Sequence, residues 1–358
     1  MPRPDICSQR LANQHLSRQT LDTPSEIVRL LGAVQAQDYS TAKWGVAQRT
    51  RNATDASVEK ELDEGTILRT HVLRPTWHFV VAADIRWMLA LTGPRVEAVL
   101  ASYDRKLGID EAVLRKSNAI LEKTLQGGNH LTRAELSLAM QSGGIRTEGT
   151  QRLARLVMHA ELDGLICSGP RRGKQFTYGL LEERAPRAKT LSRDEALFEL
   201  AKRYFNTRGP ATVDDFAWWS GLTKTDAKRG AQAAESELEH EVIAGRGHWF
   251  PTPARFKRKS PIVHLLPNYD EYFIGLKDRS AMQSALKTSG WDGSLSFLGG
   301  HILTINGQIV GGWGRTLKGE VTVVELKLLT KLKTEEQRAT VRALKRFEAF
   351  LEQPVALA

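Results

Sequence analysis

Several common functional signatures are missing from this sequence. Its only cysteines, Cys7 and Cys167, lie far apart and in no zinc or redox spacing, which argues against a disulfide framework and a cysteine metal site. No apolar run approaches the roughly 18 residues that cross a bilayer, and no signal-peptide core follows the start, so the sequence predicts a cytoplasmic protein. It contains no His-Glu-x-x-His spacing, and its glycine pairs lack the strand-to-helix context of a nucleotide fingerprint. We therefore expect no metal and no cofactor.

Positive charge is what the sequence has in excess. Its 358 residues include 51 lysines and arginines against 41 acidic residues, a formal net charge of +10. The hydrophobic fraction of 41% allows a substantial core, and the length suggests two or three domains. The charge favours a polyanionic partner, and nucleic acid is the commonest one for a cytoplasmic protein. A basic surface that binds nothing is the alternative.

A helix, a turn, a second helix and a basic hairpin follow one another in residues 130–181. Thr132 and Glu135 have the spacing of a capping box, and residues 151–165 carry an apolar stripe typical of a helix. Residues 166–168 and 175–180 flank a Gly-Pro-Arg-Arg-Gly-Lys turn and predict a hairpin. This is the order of elements in a winged helix.

The same order recurs elsewhere in the chain. After this unit, three helices and a hairpin are predicted at residues 196–207, 213–216, 224–239 and 241–250. The N-terminal region fits less regularly, with helices predicted at residues 7–15, 24–34 and 39–49 and strands at 67–74 and 76–81. Three winged-helix units in tandem are the predicted arrangement.

After residue 255 the pattern changes from helices to strands. Strands are predicted at residues 261–267, 301–305, 308–310 and 320–326, and a final amphipathic helix at 335–352. Asn306-Gly307 is a strong hairpin signal, whereas Gly311, Gly312 and Gly314 are interpreted as turns and bulges. The sequence therefore predicts an α+β chain, with tandem helix-turn-helix domains followed by a small β-barrel-like domain and a C-terminal helix. The predicted parts are an N-terminal winged-helix region, two further winged helices and the β-rich domain, at residues 1–125, 126–187, 188–254 and 255–358.

Two amides separated by one residue, Gln35 and Gln37, lie at the end of the second predicted helix. On a continuous α-helix residues i and i+2 point about 200° apart, whereas in an extended chain they share a face. The two amides can therefore act together only if the helix ends by about Val34, as Gly32 permits. The alternative is a helix-terminal amide pair that satisfies backbone groups. Asp38 next to them is expected to cap the following helix.

A cluster of basic and aromatic residues follows in residues 69–78. Strand alternation places Arg69 and His71 on one face and separates Trp77 from His78. Arg69 and Arg74 are candidates for holding a phosphate, and the two histidines are candidates for lying near a bound base. The competing interpretation makes Trp77 a core residue and the histidines structural.

Two runs of basic residues are candidates for contacting nucleic acid. Arg171, Arg172 and Lys174 occupy a glycine-flanked hairpin tip, a geometry suited to phosphates or a minor groove. Lys257 and Arg258 belong to a second run beside an aromatic residue. A solvated surface turn is the alternative for both runs.

Adjacent carboxylates occur at residues 269–272, with further charges at 277–279. Without a second carboxylate motif, this arrangement predicts an ion-paired structural corner rather than an acid and base pair. Asp270 and Arg279 remain candidates for the site.

Three motifs in order give the chain a resemblance to a known family: QAQ at 35–37, RTHVLRPTWH at 69–78, and LLPNYDEY at 265–272 followed by KDR at 277–279. Over essentially its whole length, the chain resembles the bacterial winged-helix DNA glycosylases of the AlkZ and YcaQ type. The resemblance implies three tandem winged helices and a small β-barrel that form a basic concave surface for duplex DNA. It also implies a catalytic Gln-x-Gln or Gln-x-Asp motif, which maps onto Gln35 and Gln37.

The implied chemistry suits a pair of amides. Alkylation at N7 gives guanine a positive charge, so the base is already activated as a leaving group and needs no strong general acid. What remains is to position a water and to stabilise an oxocarbenium-like sugar, and amide oxygens can do both. We therefore expect a monomeric, monofunctional glycosylase that releases cationic N-alkylated purines from duplex DNA, for repair or self-resistance.

Position 37 carries no carboxylate, so the chain departs from the Gln-x-Asp branch. The resemblance associates bulky and crosslinked lesions more with that branch, and activity on them is not implied here. A non-catalytic winged-helix DNA-binding protein or transcriptional regulator is the alternative function, because it would share the basic hairpins without needing two converging amides.

Overall fold

The computed structural model describes residues 5–252, 260–283 and 300–358. The helices are α1 (Ile6–Asn13), α2 (Pro24–Leu31), α3 (Tyr39–Ala47), α4 (Asp55–Asp63), α5 (Ile85–Lys106), α6 (Glu111–Leu125), α7 (Arg133–Ser142), α8 (Thr150–Leu162), α9 (Leu181–Arg184), α10 (Arg193–Arg208), α11 (Val213–Ser220), α12 (Lys224–Ala233), α13 (Glu271–Ile274) and α14 (Thr334–Leu351). Within these three ranges, none of the helices has the length and apolar character needed to cross a membrane.

The described strands form four sheets. They are β1 (Val34–Gln35), β2 (Ile67–Val72), β3 (Arg74–Val81), β4 (Leu131–Thr132), β5 (Ile166–Ser168), β6 (Thr177–Leu180), β7 (Glu239–Ile243), β8 (Arg246–Phe250), β9 (Val263–Leu266), β10 (His301–Ile305), β11 (Gln308–Lys318), β12 (Val321–Leu328) and β13 (Val355–Leu357). The strand orders are β1-β3-β2, β4-β6-β5, β7-β8 and β13-β12-β11-β10-β9. Separate sheets among many helices confirm the predicted α+β class.

Helix α2 begins and ends where its sequence predicts. Thr23 and Glu26 form a capping box, and Pro24 occupies the first turn. Gly32 then adopts a φ of 79°, which glycine tolerates without strain, and the helix ends. Because β1 already begins at Val34, the prediction that the helix ends by about this residue is confirmed.

Other predicted helix starts are also confirmed. Asp38 caps α3 by accepting the Thr41 N–H at 3.3 Å. Thr132 and Glu135 form the predicted capping box of α7, and Thr223 caps α12. Local hydrogen bonding between near neighbours fixes these boundaries, so the sequence alone is sufficient to locate them.

The order of two helices and a hairpin occurs twice. Helices α7 and α8 precede the antiparallel pair β5–β6, and helices α11 and α12 precede the pair β7–β8. The prediction of a helix over 224–239 is wrong at its end, because α12 stops at Ala233 and Glu239 already pairs with Phe250 in β8. The sequence pattern also left α4, α5 and α6 unassigned.

The C-terminal strands form an open sheet with α14 against it. Strands β10 and β11 turn at Asn306-Gly307, where both residues have positive φ, and this hairpin is confirmed. Among the described residues β9 and β13 are the sheet edges, and Phe347 and Phe350 of α14 pack with Trp313 and Trp44. The predicted barrel-like domain is therefore a half-barrel.

The glycines of β11 correct one interpretation. Gly311, Gly312 and Gly314 lie inside a continuous strand, so reading them as turns is wrong, although a bulge does interrupt the β10–β11 register beside them. A Cβ on Gly311 would lie 2.2 Å from the carbonyl oxygen of Lys327. Glycine is needed there because β12 approaches too closely for any side chain.

The buried core connects the units that surround β1. The largest cluster involves the third helical unit, which is formed by α10, α11, α12 and the β7–β8 hairpin. It joins Trp219 and Tyr204 of this unit to Leu68 of β2, Trp87 of α5 and Tyr272 of α13. A separate core holds α6, α7, α8 and the β5–β6 hairpin together. The segment that carries the two glutamines is thus packed between the third helical unit and the start of the C-terminal sheet region.

Candidate active site

Strand β1 is an edge strand whose outward N–H group is satisfied by a buried carboxylate. Gln35 lies opposite His78 of β3, and the Ala36 N–H donates to the Trp77 carbonyl at 2.7 Å. Because hydrogen-bonding alternates along an antiparallel pair, the Gln35 N–H points away from β3. It donates instead to Oε1 of Glu271 at 2.8 Å. The backbone of the motif is therefore held from both sides.

The side-chain amide of Gln35 is oriented by Arg74. Arg74 Nη2 donates to Gln35 Oε1 at 2.8 Å, and Arg74 Nη1 donates to the Trp219 carbonyl at 2.9 Å. A guanidinium can only donate, so the amide must present its oxygen to it. Burial lowers the pKa of Arg74, an effect that Glu271 opposes. Gln35 itself is 7% exposed, so its amide has one fixed orientation.

Glu271 links three parts of the chain at this point. Its Oε2 accepts from Arg208 Nη2 at 2.5 Å and from Trp219 Nε1 at 2.8 Å, while Oε1 holds Gln35. A carboxylate that is 1% exposed needs such complete pairing, because an unpaired buried charge is costly. The neighbouring Asp270 is paired equally well. The predicted ion-paired corner is confirmed, and its contact with Gln35, 236 positions away, was missed.

Arg208 holds the end of α2 as well as Glu271. Its Nη1 donates to the Leu31 carbonyl at 2.9 Å and its Nη2 to the Ala33 carbonyl at 3.3 Å. These are carbonyl groups that the end of a helix leaves unsatisfied. The same guanidinium therefore stabilises both the helix end and the carboxylate that fixes Gln35. Sequence reasoning passed over Arg208 because it lies inside a helical pattern with no distinguishing spacing.

Asp270 is held by Arg49 in a buried, two-pronged ion pair. The two Arg49 nitrogens lie 2.7 and 3.0 Å from the two carboxylate oxygens. Both side chains are almost fully buried. This ion pair anchors the corner before α13 to the end of α3, and it engages both carboxylate oxygens of Asp270.

Gln37 has different surroundings. It is exposed and lines a cavity of about 210 Å³. Its Oε1 lies 3.4 Å from the Trp77 N–H, a long hydrogen bond. The other polar side chains that line this cavity include His71, Arg133 and Tyr178, and apolar residues of α8 complete its wall. A cleft of about 400 Å³ shares Trp77, Arg133 and Tyr178 with it and adds Arg69 and Lys174.

Rings and cations pack together in this cleft and along the wall that it shares with the cavity. The guanidinium of Arg69 lies 4.1 Å from the Trp77 ring centre and 4.6 Å from that of Phe176. Arg69 Nε donates to the Ala36 carbonyl at 3.2 Å, and burial lowers the pKa of this arginine to about 10. The centre of the His71 ring lies 3.9 Å from the centre of the Trp77 ring. Arg69 thus connects the glutamine motif to the aromatic wall.

His71 also pairs with a buried carboxylate. Its Nδ1 lies 2.6 Å from Oε2 of Glu161 on α8. Glu161 is completely buried, and burial raises its pKa, while His71 and Arg69 oppose the rise. Glu161 was not singled out from the sequence, because it falls within the apolar stripe of a helix.

Two residues that the sequence offered as site candidates have structural roles instead. His78 is fully buried, with Nδ1 2.8 Å from the Thr76 carbonyl, and burial followed by the charge of Arg74 lowers its pKa well below the ordinary value. Arg279 donates to the Phe273 carbonyl at 3.0 Å and stacks on that ring. Neither residue lines the cavity or the cleft beside Gln37.

The basic residues at the tip of the β5–β6 hairpin also differ in their surroundings. Arg171 packs over Tyr39 and Phe176 and lies 3.6 Å from Glu59. Arg172 is exposed and pairs with Glu135 at 2.7 Å, and Lys174 is exposed at the edge of the cleft. Lys257 and Arg258 lie outside the described residues, so their predicted contacts stay a prediction.

Other cavities exist, and neither contains a glutamine of the motif. One of about 390 Å³ lies between Trp44, Arg346 and Phe350, and another of about 420 Å³ lies beside His240 and Trp249. Within the described part of the chain, no group of three or more His, Cys, Asp or Glu side chains is arranged to hold a metal ion.

Comparisons with known proteins agree on one family. A family model described as "DNA glycosylase AlkZ-like" matches residues 28–350. The chain is 24% identical over 363 residues to a curated protein of Streptomyces sahachiroi named "Interstrand DNA cross-link repair glycosylase", covering 95% of this chain and 93% of that one. A solved structure of Streptomyces sahachiroi DNA glycosylase AlkZ has the same fold, with a TM-score of 0.79, 22% identity, and coverage of 99% of this chain and 98% of that chain.

Proposed function

The chain belongs to the AlkZ-like family of DNA glycosylases, hydrolases that act on N-glycosyl bonds, and on that premise we propose that it releases cationic N7-alkylated guanines from duplex DNA. The net charge of +10 supports a polyanionic substrate. Membership of an enzyme family weighs against the alternative of a non-catalytic regulator, which would need no ordered pair of amides.

In the proposed reaction the leaving base needs no strong general acid, because alkylation has already given it a positive charge. The bond between C1′ and N9 breaks with its electron pair going to the base, which leaves as neutral N7-alkylguanine. The protein then has to hold a water against C1′ and place negative dipoles near the cationic sugar. Amide oxygens meet both needs without introducing a full charge.

Gln35 and Gln37 are the proposed pair, and the observation that carries this assignment is the end of α2 before Gly32, which leaves both residues outside the helix. An amide oxygen has two lone pairs, so the bond from Arg74 leaves Gln35 Oε1 one further acceptor site. Gln37 is exposed at a cavity with its oxygen held only weakly by Trp77. In this proposal Gln35 is the rigid member of the pair and Gln37 the member that meets the lesion.

The repeated units of two helices and a hairpin are proposed to be winged helices that contact the duplex. Arg172 and Lys174 stand exposed at one hairpin tip, next to the cleft that adjoins Gln37. Basic side chains at such tips suit phosphates, which position a protein on DNA without reading sequence. Arg69 and Arg74 are proposed to support the site rather than to bind phosphate directly, because each already donates to a neighbouring group. His71 lines the cavity and is proposed to lie near the bound base.

Crosslinked DNA is included as a second proposed substrate class. The curated relative from Streptomyces sahachiroi is named for interstrand cross-link repair, although it is only 24% identical to this chain. Cross-links formed at N7 of guanine carry the same activating charge as a simple N7 adduct.

The test is single-turnover release of N7-methylguanine from a duplex oligonucleotide that carries it at one position. Wild-type protein is expected to release the base, and the Gln35→Ala, Gln37→Ala double variant is expected to release none above background. Gln337→Ala, on the exposed face of α14, is the matched control and should keep the wild-type rate. Equal release by wild type and the double variant would refute the catalytic assignment.

The same variants applied to a duplex with an N7-guanine interstrand cross-link define the substrate range. Unhooking is measured as strand separation on a denaturing gel. Unhooking by wild type but not by the double variant would support crosslinks as substrates. Release of N7-methylguanine without unhooking would restrict the proposed substrates to single-strand adducts.

A further inference from the structure

The dyad of His71 and Glu161 is unusual among the buried polar groups of this chain because one member lines the cavity beside Gln37. Nδ1 of His71 lies 2.6 Å from Glu161 Oε2, and the imidazole forms part of the cavity wall. The second carboxylate oxygen of Glu161, Oε1, is buried and has no hydrogen-bond partner among the described residues. A paired histidine at the floor of an open cavity has the arrangement of a proton carrier.

The arrangement fixes which ring nitrogen is available. With Glu161 ionised, the carboxylate can only accept, so Nδ1 of His71 donates to it. In that tautomer Nε2 carries the free electron pair of the ring, and His71 is the member of the dyad that lines the cavity. The centres of the His71 and Trp77 rings lie 3.9 Å apart, with an angle of 43° between the ring planes.

Arg69 supports the ionised form of Glu161. It lies on the same strand as His71, and its positive charge opposes the rise that burial gives to the pKa of Glu161. The titratable and charged groups that surround the dyad on β2, β3, β5, β6 and α7 are Arg69, His78, Cys167, Tyr178 and Arg133.

We propose that His71 is a catalytic residue that accepts the proton of the attacking water at Nε2, and that Glu161 is the positioning residue that holds it. The inference rests on the proposed function. As the C1′–N9 bond breaks, its electron pair goes to the cationic base. The water oxygen bonds to C1′, and one water proton passes to Nε2, from which it later returns to solvent. Gln37, on the same cavity, orients that water.

The dyad therefore supplies a base for the water proton, which the two amides lack. An amide oxygen can accept a hydrogen bond from water, but it is too weak a base to remove the proton. Without a base, the protonated addition product must lose its proton to bulk solvent across the cavity. A histidine held by a carboxylate supplies that acceptor at neutral pH.

The decisive variant is His71→Asn. The amide nitrogen of asparagine can take the place of Nδ1 and keep the hydrogen bond to Glu161, while Nε2 is lost. The matched control is His159→Asn, because His159 on α8 also pairs with a carboxylate, Glu97, at 3.0 Å but does not line the cavity. Both variants are first compared with wild type by thermal unfolding and by duplex DNA binding.

The measurement is the single-turnover rate of N7-methylguanine release between pH 5.5 and 9. The wild-type rate is expected to fall at acid pH, because a base that has gained a proton cannot accept one from water. His71→Asn should lower the plateau by about 100-fold and abolish the acid fall, whereas His159→Asn should follow wild type. Glu161→Gln should move the acid fall to lower pH, since a protonated imidazole loses its negative partner.

A wild-type plateau in His71→Asn, or an acid fall that persists in it, would overturn the inference while leaving the proposed function intact. A wild-type rate that increases toward acid pH would also overturn it, because the dyad would then be donating a proton. Failure of the wild-type protein to release N7-methylguanine would instead refute the proposed function on which the inference rests.

Discussion

Gln35 and Gln37 are separated by one residue and belong to two contrasting regions. The anchor, formed by Gln35 with Arg74, Arg208, Trp219 and Glu271, is buried, and its carboxylate oxygens accept three hydrogen bonds. The cavity, formed beside Gln37 by His71, Trp77 and Arg133 with Glu161 behind it, is open to solvent. The anchor fixes the backbone, and the cavity leaves polar groups available for a ligand.

The contrast teaches that one short segment can serve stability and chemistry separately. A catalytic amide needs a fixed backbone, yet a fully paired amide has little capacity left for substrate. Here the side chain of Gln35 is held by a hydrogen bond from Arg74, and the side chain of Gln37 is the one that remains available to a ligand. Substitutions in each region should therefore separate the two roles.

The largest expected effect is loss of the anchor carboxylate. Glu271→Ala leaves Arg208 buried without its ion-pair partner, and the free energy of unfolding should fall by about 3–5 kcal/mol. Denaturant unfolding measures it. Glu182→Ala removes a surface partner of Arg86 and should cost no more than about 1 kcal/mol. Equal effects of the two substitutions would show that the anchor is not a stability centre.

Acid pH should destabilise the anchor side through His264 on β9, the strand that leads to Asp270 and Glu271. Burial lowers the pKa of His264 to about 4, whereas an unfolded histidine titrates near 6.5. Between these values the unfolded chain binds a proton that the folded chain does not, so stability falls as the pH decreases from about 6.5 to 4. The total loss from this group is about 3 kcal/mol.

His264→Gln should remove that part of the pH dependence, because glutamine can keep the hydrogen bond to the Leu16 carbonyl without gaining a charge. The readout is the difference in unfolding free energy between variant and wild type at pH 7 and pH 4. His240→Gln, at an exposed position, is the control and should leave the dependence unchanged. If the unfolding free energy of His264→Gln changed with pH as much as that of wild type, His264 would not be the source of this pH dependence.

The two glutamines themselves should respond differently. Gln37→Ala should lower the single-turnover rate of base release by about 100-fold and change the unfolding free energy by less than about 0.5 kcal/mol, because the side chain is exposed. Gln35→Ala should lower the rate and also cost about 1–3 kcal/mol, because Arg74 loses a buried acceptor. Identical stability losses would remove the distinction between anchor and cavity.

The smallest expected effect concerns the hairpin tip beside the cavity. Lys174→Ala should weaken duplex binding a few-fold and reduce the slope of log K against log salt by about 0.9, as expected for one phosphate contact. Binding is measured by fluorescence anisotropy over a salt series. Lys345→Ala on α14 is the control, and an unchanged slope in Lys174→Ala would remove this residue from the DNA surface.

Features that depend on near neighbours were predictable from the sequence. The capping box at Thr23, the cap at Asp38 and the turn at Asn306-Gly307 each involve residues a few positions apart. The end of α2 before Val34 follows from Gly32 and was therefore also foreseen. These local signals were sufficient to place both glutamines outside α2, with Gln35 on strand β1.

Features that depend on distant contacts were not predictable. Glu271 meets Gln35 across 236 positions, and Arg208 meets Leu31 across 177. Gly311 is required by the approach of Lys327 in β12, which no local pattern reveals. Glu161 lies within a helical stripe, and only the packing of α8 against β2 brings it to His71. Tertiary packing, rather than propensity, decides each of these.

The most direct test of the central claim is a structure of the protein bound to duplex DNA that carries a cationic aza-sugar in place of the lesion's deoxyribose. We expect the sugar mimic within hydrogen-bonding distance of the Gln37 amide, beside His71, with Gln35 still held by Arg74 and Glu271. A sugar mimic bound at another cavity, with Gln37 directed away from it, would contradict the proposed active site.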